Sequence, residues 1–159
     1  MTKYLLAFFV SMVPLIELRA GVPIALTQGI DYIPAIIICA IGNMLPVPFI
    51  YFFARKFLLW GMDKKHIGKL CTFFVEKGEK AGKKMTEKTG RGGLFVALLL
   101  FVGIPLPGTG AWTGTLAASF LNMGFKSAVV SVILGVLLAG IIMAFGTSVV
   151  TAFLGLFGA

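Results

Sequence analysis

Glu17 and Arg19 are the only charged residues inside the strongly apolar segments of this chain, and they stand in the stretch PLIELRAGVP, Pro14 to Pro23. A charge at bilayer depth costs about 2.5–3.5 kcal/mol on insertion scales, so it is normally paired and normally functional. Arginine keeps its charge at depth and presents a planar fork of donors that fits phosphate or carboxylate. Glutamate beside it is a protonatable partner, its charged form disfavoured by burial and favoured by the guanidinium. Two residues apart on a continuous helix, the side chains project about 200° apart and cannot meet. Pro14 and Pro23 each remove a backbone donor and bias the preceding valines, Val13 and Val22, away from helical geometry. The stretch therefore reads as a broken turn in which Glu17 and Arg19 pair. Arg19 would bind an anionic group and Glu17 would couple to protons. The plainer alternative is that the two charges neutralise each other and hold the turn shut.

A second set of polar positions accompanies this turn. The glycine-rich run Gly108, Thr109, Gly110, followed by Trp112 and Thr113, offers backbone amides and hydroxyls as hydrogen-bond donors. Within it, GAWTG (Gly110 to Gly114) is also a small-xxx-small packing motif, and Trp112 is either a site wall or an interfacial anchor. Asn43, in an otherwise apolar span, is either a satisfied interhelical hydrogen bond or part of a polar pathway. His66, the only histidine, reads as an interfacial residue. No Cys/His or Ser/His constellation and no metal-ligand spacing is present, so catalytic residues, metals and cofactors are not expected. Cys39 and Cys71 cannot build a disulfide framework.

These residues are carried by a membrane protein. Hydrophobic residues make up 58% of the 159 and charged residues 13%, against about 25% in soluble chains; mean hydropathy is +1.00. The net charge of +8 is concentrated between Arg55 and Arg91, where eleven Lys and Arg face four acids. By the positive-inside rule that segment is cytoplasmic. No aromatic-interleaved motif accompanies the basic charge, which argues against nucleic acid. The apolar start resembles a signal peptide but lacks an A-x-A cleavage site, and is read as retained.

Along the single domain 1–159, residues 1–54 form a first repeat, 55–93 a basic connector and 94–159 a second repeat. Tyr4 to Pro14, about 16 Å as a helix, is roughly half a span, and so is Ile24 to Ile30. Two half-spans around a polar turn fit a re-entrant hairpin; one kinked spanning helix is the alternative. Ile33 to Phe53 is long enough to span, interrupted by Pro46 and Pro48. In the connector, Ile67, Leu70, Cys71 and Phe74 oppose Lys64, Lys65 and Lys69, which predicts a short amphipathic helix on the anionic inner leaflet; Lys77 to Arg91 reads as polar and mobile. Leu94 to Pro107 is again short, and Ser127 to Val150 spans. At an offset of 91 residues, VPLIELRA overlays IPLPGTGA, with Pro14/Pro105, Leu15/Leu106 and Ala20/Ala111 identical. The expected fold is all-α: two inverted repeats, each a re-entrant hairpin plus a transmembrane helix, meeting near the midplane. Both termini then lie outside, and a homodimer supplies the area that two spans lack.

PLIELRAGVPIAL, with GIPLPGTGAWTGTLAA in the second half, resembles the small multidrug export protein family, a distant relative of the DedA-type (VTT-domain) superfamily. The resemblance covers nearly the whole chain. It implies a multi-pass protein of a bacterial or archaeal inner membrane with a transport role. For the DedA relatives it implies proton-motive-force-dependent recycling of undecaprenyl phosphate. Glu17 matches the acidic residue of the relatives' first re-entrant turn; the arginines of their second turn have no counterpart between Gly103 and Trp112. The leading expectation is a flippase for an anionic lipid such as undecaprenyl phosphate, partnered by membrane lipids and protons. A small multidrug exporter for cationic amphipathic compounds, using Glu17 as the binding charge, is the alternative. A membrane lipid phosphatase is a third, from another class.

Overall fold

The structure, a computed structural model, describes residues 2–14, 16–64, 67–106 and 109–156. The described chain is helical: α1 Thr2–Met12, α2 Glu17–Thr27, α3 Tyr32–Met44, α4 Val47–Met62, α5 Gly68–Gly103, α6 Ala111–Phe120 and α7 Phe125–Leu156.

The proline positions dictate most of these boundaries. α1 stops before Pro14, as expected. α2, however, runs through Pro23, which the sequence reading had made the second half of the break. A proline inside a helix removes a single hydrogen bond, here to the carbonyl of Arg19, and a helix held by its neighbours tolerates that loss. Pro46 and Pro48 separate α3 from α4, and Pro48 falls in the first turn of α4, where its missing N–H has no helical acceptor anyway. Tyr32–Met62 is still apolar enough to cross a membrane as one bent unit, and Phe125–Val150 is the second such segment.

α1 and α2 fold back as a helical hairpin. Lys3 Nζ donates to the carbonyl of Gly29 at 2.9 Å, joining the start of α1 to the end of α2. The last twelve residues of α5, Gly92–Gly103, form a short apolar helix beyond a kink at Gly90. They pack along α6, with Gly114 against Val102 and Leu98. Both hairpins end in the same way. Gly29 at φ 70° and Asn122 at φ 55° adopt the left-handed conformation. Gly29 N donates to Leu26 O and Ile30 N to Ala25 O, each at 3.0 Å; Asn122 N donates to Ser119 O at 3.3 Å and Met123 N to Ala118 O at 3.0 Å. These are two Schellman stops, and α3 and α7 begin three residues after each left-handed residue.

The two spans run antiparallel. Tyr32 Oη, at the start of α3, lies 2.7 Å from Ser148 Oγ near the end of α7. At the other end, the Phe52 ring of α4 lies 4.7 Å from that of Phe125, the first residue of α7. Small residues set the close approaches. A Cβ on Gly42 of α3 would overlap the Phe8 carbonyl of α1, and one on Gly135 of α7 would meet Leu99 O of α5 at 2.8 Å. Large apolar side chains of the spans face outward instead: Phe49, Phe53 and Phe145 are each at least 70% exposed, as lipid contact requires.

The basic connector departs from expectation in two respects. α4 continues past Arg55 to Met62, and Lys77 to Arg91 is helical within α5. In the expected amphipathic turn, Ile67 and Cys71 lie against α4. Cys71 is buried, and a Cβ on Gly61 would meet Cys71 Sγ at 2.5 Å and Ile67 Cδ1 at 3.4 Å. Glycine at 61 leaves the space into which that face docks. Lys65 and His66 lie outside the described residues.

Candidate functional site where two helix breaks meet

Each hairpin is interrupted at its tip, and the two tips meet. A broken helix leaves carbonyls without donors at the end of its first half and N–H groups without acceptors at the start of its second. The macrodipole adds partial negative charge to the former and positive charge to the latter. The charges of the first break satisfy the orphan groups of the second.

Glu17 is buried and opens α2 at φ 52°, an uncommon conformation for a residue with a side chain. Its Oε2 accepts from the backbone N–H of Ala111 and its Oε1 from that of Trp112, each at 3.0 Å. One carboxylate thus caps the first turn of α6. Gly110, immediately before it, has φ 138°, and a Cβ there would overlap the Glu17 carboxylate. Glycine at 110 is therefore required both by the backbone and by the approach of Glu17. Arg19, half-buried, donates through Nη1 to the carbonyl of Leu106 and through Nη2 to Thr109 Oγ1. Thr109 Oγ1 lies 2.9 Å from each of the carbonyls of Ile104 and Leu106, so Arg19 and Thr109 together serve the carbonyl end of the broken helix. Trp112 Nε1 reciprocates, donating to Met12 O at the end of α1 at 3.2 Å.

The expected Glu17–Arg19 pair is thus replaced by a cross-brace: each side chain bonds the opposite hairpin. The reason is electrostatic order. The carboxylate goes to the positive end of α6 and the guanidinium to the Leu106 carbonyl and the Thr109 hydroxyl in the turn that follows α5.

The other sequence-selected residues divide. Thr109, Gly110 and Trp112 join the brace; Thr113 Oγ1 lies 3.5 Å from Gly110 O, within its own helix turn. Gly108 lies outside the described residues. Asn43 is 2% exposed, and its Oδ1 has no hydrogen-bond partner. Thr115 on α6 was missed. It is 1% exposed and its Oγ1 is likewise unpartnered. In the sequence it is lost among the small residues of GAWTGTLAAS; only its position four residues after Ala111, on the same helix face, could have singled it out.

Two antiparallel apolar helices long enough to cross a membrane, with two helical hairpins whose tips are bridged by buried side chains, define a helical membrane protein. The model of the family described as "Putative small multi-drug export protein" matches residues 17–142, well over half of the chain, and the chain belongs to that family. The match begins at Glu17, after the first break, and takes in Glu17, Arg19 and the second tip. No curated protein and no solved structure matches the chain.

Proposed function

We propose that this protein exports small amphipathic molecules across the membrane, and that the braced tips are where cargo is recognised and access alternates. The observation that carries the reading is the cross-brace in a member of an export family: buried charge at the junction of two broken hairpins is the architecture expected of a transport site. Antiparallel spans preceded by like hairpins support an inverted arrangement of the halves, each hairpin re-entering from its own side.

The brace also bears on the cargo. Each oxygen of Glu17 already accepts one N–H and the side chain is buried, so a cationic compound would meet this carboxylate only through its remaining lone pairs. Arg19 has five N–H donors, of which two serve Leu106 and Thr109. Its remaining donors favour cargo with an anionic or strongly accepting group. The same observation supports a second reading, translocation of a lipid phosphate such as undecaprenyl phosphate.

The test is reconstitution in liposomes with three fluorescent probes: an amphipathic sulfonate, an amphipathic quaternary ammonium and a labelled lipid phosphate. Export of the sulfonate, falling at least about tenfold in Arg19→Gln and partly restored in Arg19→Lys, is expected. Movement of the lipid phosphate alone would move the assignment to lipid translocation, and transport of the cation with wild-type efficiency in Arg19→Gln would overturn the role of Arg19.

A further inference from the structure

α4 carries an exposed aromatic face past the level at which it meets α7. Phe49, Phe53, Phe57 and Trp60 follow one another at helical spacing, and all four are exposed. The ring centroids of Phe53 and Phe57 lie 6.1 Å apart and those of Phe57 and Trp60 6.0 Å apart, so the outer rings form an unbroken track. Phe52 meets Phe125 at the start of α7, and Trp60 stands about two turns further along α4. The track thus begins on the lipid-facing span and ends beyond it. Lys64 closes it, its Nζ 4.5 Å from the centre of the Trp60 ring. Tryptophan and lysine in this order are the residues of a bilayer's water-facing edge.

At Lys64 the track opens into a cleft of about 620 Å³, a size that accommodates a small organic ligand. One wall is Met62, Asp63 and Lys64 at the end of α4; the other is a single face of α5, formed by Lys69, Thr72, Phe73 and Glu76. A Cβ on Gly68 would meet Met62 O at 2.6 Å, so glycine there lets the walls close at their base. No side chain caps the first turn of α5, which leaves the positive pole of that helix at the cleft. The described lining is charged but balanced, with Lys64 and Lys69 against Asp63 and Glu76, all exposed. A simple anion would meet two carboxylates there, and a simple cation two ammonium groups. A ligand with both signs on one head, and an apolar tail to lie along the aromatic track, complements the whole surface. A zwitterionic phospholipid has that chemistry: phosphate for Lys64, Lys69 and the Thr72 hydroxyl, ammonium for Asp63 and Glu76, and an acyl chain for Trp60, Phe57 and Phe53.

We propose that the cleft between the end of α4 and the start of α5 binds an aminophospholipid of the adjoining leaflet. The proposal requires α4 to lie in a membrane; it does not depend on the cargo or on the brace. Trp60 is the reporter. The protein is reconstituted in phosphatidylcholine vesicles containing, at equal mole fraction, phosphatidylethanolamine or phosphatidylglycerol brominated near the head of one acyl chain, and tryptophan quenching is recorded. Trp112 is the other tryptophan, and Trp60→Phe gives its share of the signal. Brominated phosphatidylethanolamine is expected to be enriched beside Trp60 at least about threefold over its mole fraction, within the range that exposed ion pairs reach. Lys64→Gln with Lys69→Gln should remove the enrichment. Asp63→Asn with Glu76→Gln should turn the preference toward phosphatidylglycerol. The wild-type measurement needs no variant, so a variant that fails to fold does not remove the test. Quenching that follows mole fraction whatever the headgroup would reduce the track to bulk lipid contact and overturn the site. Preference of the wild-type protein for phosphatidylglycerol, or a preference for phosphatidylethanolamine that survives loss of both carboxylates, would overturn recognition of the zwitterion.

Discussion

At the scale of residues, Glu17 and Arg19 are decided by partners 87 to 95 positions away. Had they paired with each other, removing both would restore what removing one destroys. Because each serves a different set of backbone groups, the losses accumulate instead. Glu17→Gln keeps one acceptor and turns a donor toward the second N–H of α6, and leaving a buried group unsatisfied costs about 1–3 kcal/mol. Arg19→Gln removes the guanidinium bonds to Leu106 O and Thr109 Oγ1, a loss of about 1.5–3 kcal/mol for charge-assisted bonds, although Leu106 O keeps the N–H of Thr109 at 3.2 Å. The double variant is expected to melt below either single variant in detergent; melting above both would restore the direct pair. No local rule joins a carboxylate to an N–H 94 residues further on. What the sequence did disclose was that these two charges had to be answered by something buried.

At the scale of elements, legibility followed the chemistry of single residues. Pro14 marked the end of α1, and Pro46 with Pro48 marked the joint in α3–α4, because a missing donor is visible in the residue itself. Pro23 misled, since whether a helix survives one lost hydrogen bond depends on packing that α2 receives from other segments. The Schellman stops at Gly29 and Asn122 follow the short pieces of each half, although no identity in the sequence aligns them. Helix contacts were harder to see, because a glycine in a span looks the same whether it faces lipid or another backbone. Two of them now separate by test. A Cβ at Gly21 overlaps the hydroxyl of Ser11, whereas one at Gly42 overlaps the backbone carbonyl of Phe8. Gly21→Ala is expected to destabilise by about 1–3 kcal/mol, as overpacking does, and Ser11→Ala in the same chain should recover most of it. Gly42→Ala should be at least as damaging and gain nothing from truncating the side chain of Phe8. Thermal melts of the four variants decide the matter, and recovery of Gly42→Ala by Phe8→Ala would contradict the assigned α1–α3 contact.

At the scale of the whole molecule, the hairpin arrangement makes a sidedness claim that ordinary spanning helices do not. Lys3 reaches Gly29, so the start of α1 and the end of α2 lie at one end of the molecule, and the proposed arrangement puts them at one membrane face. It puts Asn122 to Gly124, beside Tyr51 and Phe125, at the other. In a chain whose two native cysteines are replaced, Thr2→Cys and Gln28→Cys should label from the same side of intact cells and Gly124→Cys from the opposite side. Labelling of Thr2→Cys and Gln28→Cys from opposite sides would replace the first hairpin by a spanning helix. The order of two hairpins, each followed by a long apolar helix, was visible in the sequence as short piece, polar break, long span, whereas the connector's helical course was not. Glycines at 78, 82 and 90 suggested mobility, yet only Gly90 departs from helical geometry, at φ 69°.

The cross-brace also sets a clock on biogenesis. Residues 17 and 19 leave the ribosome some ninety positions before the backbone groups at 106 to 112 that receive them. At about 5–20 residues per second, that interval lasts on the order of 5–20 s. Throughout it, the first hairpin carries two charges with no native partner and cannot settle in hydrocarbon without a large penalty. The newborn first half must therefore wait at a hydrated boundary, within the insertion machinery or at the headgroup layer, until the second tip arrives. Final burial of the first tip is then a late event, triggered by the emergence of residues 106 to 112.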